Sequence, residues 1–199
     1  MAACPPARTG HPAAGDRSRG HPAWAVARET PPIDLRGIIM AHIEAEKARL
    51  VFELDSARRR TLDILKTVDE NQIVHPDSGW RVKDLAAHIL IWEEDALAAL
   101  RARQNGAVYR ISDFGSFESY NDRTIGRYRD MPLDEIKAAL HTAREEMKAI
   151  LLALPPEHFA GLMPYPWPWM GSLSNMIEVM VRHERSHADE IRRSGELDK

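Results

Sequence analysis

Nine histidines are the residues of this 199-residue chain with most to offer chemistry. His11 and His21 lie in a proline-rich N-terminal stretch. His42, His75, His141 and His158 stand singly on expected helix surfaces or in loops. Three remain. His183 and His187 are spaced i, i+4, which on a helix puts both imidazoles on one face, about 6 Å apart. That face also carries Met176, Met180 and Ile191, so it looks toward a core. His88 sits between Leu85 and Trp92 on the apolar face of another expected helix. Two imidazoles from one helix and one from a second can present three nitrogens to a divalent ion, leaving further positions for water or substrate. Nitrogen ligands of this kind suit zinc or nickel. The plainer alternative is a set of core histidines bonded to neighbours such as Asp84 or Glu94, since a buried polar group must find a partner.

The run His183-Glu184-Arg185-Ser186-His187 also spells H-E-x-x-H, in which two histidines bind zinc and the glutamate serves as base in a peptidase. The extended form of that motif needs glycine at 190 and histidine at 193, where this chain has Glu190 and Arg193. Only 12 residues follow His187, too few for a downstream ligand. A zinc peptidase is the weakest reading. Glu184, one residue from His183, is expected to face away from the ion as a solvated carboxylate. Asp84 and Glu94 are the expected outer partners of the histidines.

These side chains need helices to position them. Ile39, Ile43, Leu50, Leu54, Leu62, Leu65 and Val68 recur at helical spacing, so a first helix starts between Thr30 and Met40 and runs to about Val68. Asn71–Gly79 reads as a loop. A second helix begins just after Trp80 and ends near Arg103, closed by Asn105-Gly106. The connection from Ala107 to Met131 is long for a compact bundle, at about 25 residues, and is rich in aromatics. It is expected to hold a short helix near Ser116–Arg127 and to cover a site with Phe114, Phe117 and Tyr120. A third helix starts at Pro132 and stops before Pro155-Pro156. Met163–Trp169 alternates prolines and cannot be helical. The fourth helix, capped by Ser172 or Ser174, is expected to end near Arg193, with Gly195 as its terminating glycine. Four amphipathic helices that must bury their stripes against each other make an all-α four-helix bundle, with its long connection between helices 2 and 3. Trp92, one turn after His88, and Trp167 and Trp169 in the proline-rich segment are the candidate pocket walls.

Composition narrows the function classes. A net charge of −3 gives no reason to expect a nucleic-acid or polybasic membrane partner. No apolar run approaches the roughly 18 residues of a membrane span, and residues 1–39 lack the apolar core of a signal peptide. The expected location is cytoplasmic. Those 39 residues hold six of 13 prolines and four of 11 glycines, with five arginines against three acids. They read as a disordered tail, or as upstream sequence translated from a start placed too early, ahead of a bundle domain spanning 40–199. The lone cysteine, Cys4, lies in that tail. It excludes an internal disulfide, and any sulfur chemistry must arrive with a cosubstrate.

Two segments resemble a known family. Trp80-Arg81-Val82-Lys83-Asp84-Leu85-Ala86-Ala87-His88, followed by Trp92-Glu93, is similar to the second-helix signature of the DinB/YfiT-like superfamily. His183-Glu184-Arg185-Ser186-His187-Ala188-Asp189-Glu190-Ile191 resembles its fourth-helix signature. The resemblance spans about residues 40–194. It implies a four-helix bundle in which His88, His183 and His187 hold a divalent metal. The Gly79-Trp80 to His88 stretch also resembles the N-terminal domain of mycothiol-dependent maleylpyruvate isomerases. Tyr165-Pro166-Trp167 before a Gly-Ser-Leu helix start is similar to the ClbS/DfsB branch. Arg81 stands where the family often has a Ser or Thr cap, a loss of about 1 kcal/mol. The implied function is a metal-dependent small-molecule enzyme, a thiol-dependent transferase or isomerase or a hydrolase, with a low-molecular-weight thiol as cosubstrate. The alternative is a non-catalytic bundle that binds or sequesters a toxic small molecule. An exposed helix face leaves a homodimer open.

Overall fold

The computed structural model describes residues 34–197. Helix α1 (Leu35–Leu65) leads into a small hairpin of β1 (Ile73–His75) and β2 (Trp80–Arg81), then α2 (Val82–Gln104). The long connection holds α3 (Phe117–Ile125) and a 3-10 turn, and α4 (Leu133–Ala153) follows. A second hairpin, β3 (Met163–Pro164) with β4 (Met170–Gly171), precedes α5 (Leu173–Leu197). Helices α1, α2, α4 and α5 form the all-α four-helix bundle. α2 packs chiefly on α4 and α1 on α5, with α2–α5 and α1–α4 closing the square.

The apolar stripes meet in one core, which includes Leu50, Leu54, Leu85, Ile89, Ile136, Leu140, Met147, Met176, Ile177 and Ile191. At its centre lies a group that hydrophobic periodicity could not reveal. Arg58 of α1, Glu93 of α2, Arg144 of α4 and Glu184 of α5 are all buried. Arg58 Nε donates to Glu184 at 2.7 Å, and its Nη2 donates to Glu93. Arg144 donates to Glu93 at 2.5 Å and to Glu184 at 2.6 Å. Spare guanidinium donors reach the carbonyl oxygens of Leu140 and Leu54. Two cations and two anions thus cancel inside the bundle, each charge contributed by a different helix, and paired charges are the tolerated kind in a core.

Several expected boundaries shift. α1 is continuous across position 40, so residues 35–39 of the expected tail belong to its first turns, and it ends at Leu65; the expected Thr30–Pro31 start and residues 1–33 lie outside the described residues. The Asn71–Gly79 loop contains β1, paired with Trp80-Arg81. Gly195 does not end the last helix, which continues to Leu197. A Cβ at Gly195 would stand 3.1 Å from Val68 Cγ1, so the missing side chain serves close packing against the α1–α2 link. Arg81 gives no side-chain cap, but Asp84 Oδ2 accepts its backbone N–H at 2.9 Å, which answers the missing Ser or Thr. Ser172 caps α5 by accepting from the Asn175 N–H at 3.1 Å.

Carboxylates and an indole on α2 pin the long connection. Asp95 accepts from Tyr109 Oη at 2.8 Å and from Tyr120 Oη, while Glu94 accepts from Tyr128 Oη at 2.7 Å. Trp92 Nε1 donates to Asn121 Oδ1 at 3.0 Å. The connection is therefore held against the bundle by polar contacts spaced along its length. Among the described residues, no helix is long and apolar enough to cross a membrane.

Candidate metal centre

α2 carries His88 inward, and α5 carries His183 and His187 one turn apart on the facing side. The three rings meet with centroids 4.5 to 4.9 Å apart. His88 Nε2 lies 3.0 Å from His183 Nε2, and His187 Nε2 lies 3.1 Å from the same atom. One nitrogen from each ring falls within 4.8 Å of the others, so the three histidines could hold a metal ion. Burial first, and then the neighbouring histidines, push His88 down to about 2. Burial and then His187 push His183 down to about 3. Both are neutral near pH 7, and a neutral imidazole offers a lone pair.

Proton bookkeeping tests the fit. Glu190 Oε2 is 3.0 Å from His187 Nδ1, and a carboxylate only accepts, so His187 carries its proton on Nδ1. Its Nε2 is then a lone pair directed at His183. His183 Nδ1 is buried without a partner. If His183 holds its proton on Nδ1, a buried donor is orphaned and its Nε2 lone pair meets the one on His187. If it holds the proton on Nε2, a buried acceptor is orphaned. A cation among the three Nε2 atoms removes the lone-pair clash. Tetrahedral ligands at 2.0–2.1 Å from zinc stand about 3.3 Å from each other, close to the spacing found. The donor set fits a borderline-soft divalent ion.

The support around the histidines differs from the expected one. Asp84 turns to Arg81, with Nε donating at 2.8 Å, and Glu94 turns to Tyr128. Glu190 is the carboxylate that holds His187. The same Oε2 atom also accepts from His75 Nε2 at 3.0 Å. His75, set aside as an isolated loop histidine, stacks on Trp80 at 6.0 Å, and Trp80 packs on His88 at 5.2 Å. The β1–β2 hairpin thereby braces two of the three histidines. Residue spacing gave one usable signal, since Glu190 is i+3 from His187. Nothing in the sequence located His75. For Glu190, burial alone would raise the carboxyl, but the hydrogen bonds from His187 and His75 hold it below its ordinary value.

Glu184 requires the largest correction. It is 1% exposed rather than solvated, and both of its oxygens are taken by Arg58 and Arg144. Burial would raise it, but Arg144 and Arg58 hold it ionised and below the usual range. It does not face the histidines, so the base required by a zinc peptidase is missing from its place.

A cavity of about 350 Å³ opens onto the three histidines. Trp92, Trp167 and Trp169 all line it, as do Phe117 and Asn121 from α3 and Val179 and Met180 from α5. Phe114 and Tyr120 stand behind, packed on Trp92 at 6.3 and 5.1 Å. Gly171 lets the second hairpin fold tightly, because a Cβ there would meet Tyr165 Oη at 2.1 Å.

A family model described as the DinB superfamily matches residues 53–191. No curated protein matches the chain significantly. The crystal structure of an uncharacterised protein from Escherichia coli UTI89 is similar in fold, with a TM-score of 0.62 and 15% sequence identity. The alignment covers 76% of this chain and 94% of that one.

Proposed function

Because the chain belongs to the DinB superfamily, we propose that His88, His183 and His187 hold a divalent ion, zinc or nickel, at the base of a small-molecule reaction site. The observation that carries the reading is the convergence of three imidazole Nε2 atoms on a cavity large enough for a small ligand. When bound, the ion would polarise a thiol or a water in the cavity and favour loss of its proton near neutral pH. The chain's own residues supply the rest. Glu190 fixes the His187 tautomer so that Nε2 is free to ligate. Trp92, Trp167 and Trp169 exclude water and orient the ligand. The only cysteine, Cys4, is remote in sequence from every one of these residues, so a thiol-dependent transfer or isomerisation would draw its sulfur from a low-molecular-weight cosubstrate. Hydrolysis is the other chemistry that this arrangement could serve.

A second reading is favoured by the aromatic walls themselves: the bundle binds or sequesters a toxic small molecule without transforming it. Metal analysis of protein purified from metal-replete cells separates the classes. The expected result is one divalent ion per chain, lost in His88→Ala and His187→Ala. A metal-free wild type would sink the metal reading and leave sequestration. If metal is present, turnover of an electrophile with a thiol, or its absence, decides between enzyme and binder.

A further inference from the structure

The lining of the cavity says what kind of molecule it takes. Among the described residues, none that lines it is Lys, Arg, Asp or Glu. Several charged neighbours of the lining residues are committed elsewhere, and Glu118 and Asp122 stand exposed on α3. Glu93 and Glu184 lie in the buried quartet, Glu94 holds Tyr128, and Glu178 pairs with Arg49. Arg123 is exposed on α3, over the Tyr120 ring at 5.5 Å and donating to the Asp113 carbonyl at 3.0 Å, and is not among the residues lining the cavity, while Arg182 and Arg185 line a separate depression with Arg49 and Glu53. The polar atoms left at the wall are few. Asn121 Oδ1 is already bonded to Trp92 Nε1, which leaves its amide N–H groups as neutral donors.

The mouth repeats the pattern. Trp169 is 52% exposed and Phe117 is 41% exposed, with ring centroids 5.6 Å apart. Two large aromatic faces are kept in water at the entrance to an aromatic cavity, where a flat apolar ligand would cover them. Trp167 continues the same wall inward, 6.2 Å from Trp169 and 5.7 Å from Trp92.

We propose that this site selects an uncharged aromatic or alkyl ligand and rejects ligands that place a carboxylate against its aromatic walls and mouth. The inference rests on the reaction-site reading for where the ligand lies, and it adds the ligand's chemical class. A carboxylate held against the aromatic walls or mouth, away from the three histidines, loses its water and meets no cationic side chain among the described lining residues. Such a desolvated, unpaired charge is strongly disfavoured. Peptidic or dicarboxylate thiols such as glutathione therefore enter poorly, and an uncharged thiol or electrophile enters well.

A matched pair of probes tests this on the full-length protein loaded with cobalt(II), whose near-ultraviolet absorption reports thiolate binding. Phenylmethanethiol and 4-(mercaptomethyl)benzoate differ by one carboxylate at the far end of the ring. The uncharged thiol is expected to bind at least tenfold more tightly, and Trp169→Ala is expected to shrink that advantage by weakening the uncharged thiol. Equal affinities, or tighter binding of the benzoate, overturn the proposal. A second arm needs no metal: quenching of tryptophan fluorescence by 4-nitrotoluene and 4-nitrobenzoate in the metal-free protein. Quenching that saturates with nitrotoluene at lower concentration than with nitrobenzoate supports the proposal, and parity overturns it. Failure to load cobalt strikes the metal reading alone, since the fluorescence arm still decides the ligand class.

Discussion

Replacing Glu190 by alanine removes the carboxylate that, among the described residues, is hydrogen-bonded to the histidine cluster. Its Oε2 atom accepts from both His187 Nδ1 and His75 Nε2, each at 3.0 Å. A hydrogen bond to a charged group is worth roughly 1.5–3 kcal/mol, and removing the partner of a ligating histidine costs about 10–100-fold in metal affinity. Glu190→Ala is expected to fall in that window for zinc, measured by competition with a chelating indicator at fixed neutral pH. Glu190→Gln keeps an acceptor oxygen without the charge. Charge-assisted bonds are about twice as strong as neutral ones, so Gln should recover part of the loss. His75→Ala leaves the His187 bond but frees one side of the carboxylate, so its effect should be the smallest of the three. A change in fold alone would lower the melting temperature of the metal-free protein in step with the affinity. If Glu190 positions His187, Glu190→Gln recovers affinity out of proportion to any recovery in the melting temperature of the metal-free protein. Nitrogen-detected NMR of the metal-free protein is then expected to show His187 in the Nδ1–H form in wild type and mixed in Glu190→Ala. Zinc affinity of Glu190→Ala within twofold of wild type would mean that Glu190 does not position His187 for the ion.

Other perturbations follow from the packing. Arg144→Met leaves Glu93 and Glu184 buried with Arg58 alone, and should cost about 3–5 kcal/mol in urea unfolding. Replacing all four charges with apolar residues of similar size should recover most of that loss. If it does not, the quartet is contributing more than charge cancellation. Gly171→Ala drives a methyl into Tyr165 Oη and should cost about 1–3 kcal/mol. It should also loosen ligand binding by moving Trp167 and Trp169, and an unchanged melting temperature would contradict the close approach. Burial raises Asp95 despite the hydroxyls of Tyr120 and Tyr109. A carboxyl raised on folding favours the native state when protonated, and that contribution is lost as pH rises from about 3.8 through the folded value. Asp95→Asn should therefore gain stability relative to wild type as pH rises through that window. A difference that is flat with pH would oppose it.

Helical spacing carried the bundle helices, and spacing plus an inward face carried His88, His183 and His187. Trp92 follows His88 by one helical turn, and Trp167 and Trp169 stand in a segment whose prolines bar a helix, so pocket wall and bundle-end packing were both open to them from the sequence; the three line one cavity. The failures share a cause. Arg58, Glu93, Arg144 and Glu184 look like surface residues to any hydrophobic count, because a single sequence does not distinguish a charge solvated by water from one solvated by its opposite. Glu190 and His75 meet across 115 residues through a hairpin of three and two residues. Strands that short have no alternation to read. Gly195 has the composition of a helix stop, and only the Val68 side chain lying against it explains why the helix runs on.

The buried quartet has a metrological consequence. Glu184 directly follows His183 in α5, and Glu93 lies five residues beyond His88 in α2. A helix sliding by one residue would move about 1.5 Å along its axis, enough to pull Glu184 or Glu93 off its guanidinium partners. A binding constellation tolerates only about 0.5 Å of misplacement. The four charges act as a gauge that sets the axial height of both histidine-bearing helices from the middle of the bundle. Connections that do not touch the histidines can then change length or composition without shifting that height, while the β1–β2 hairpin adds a separate brace through His75 and Trp80.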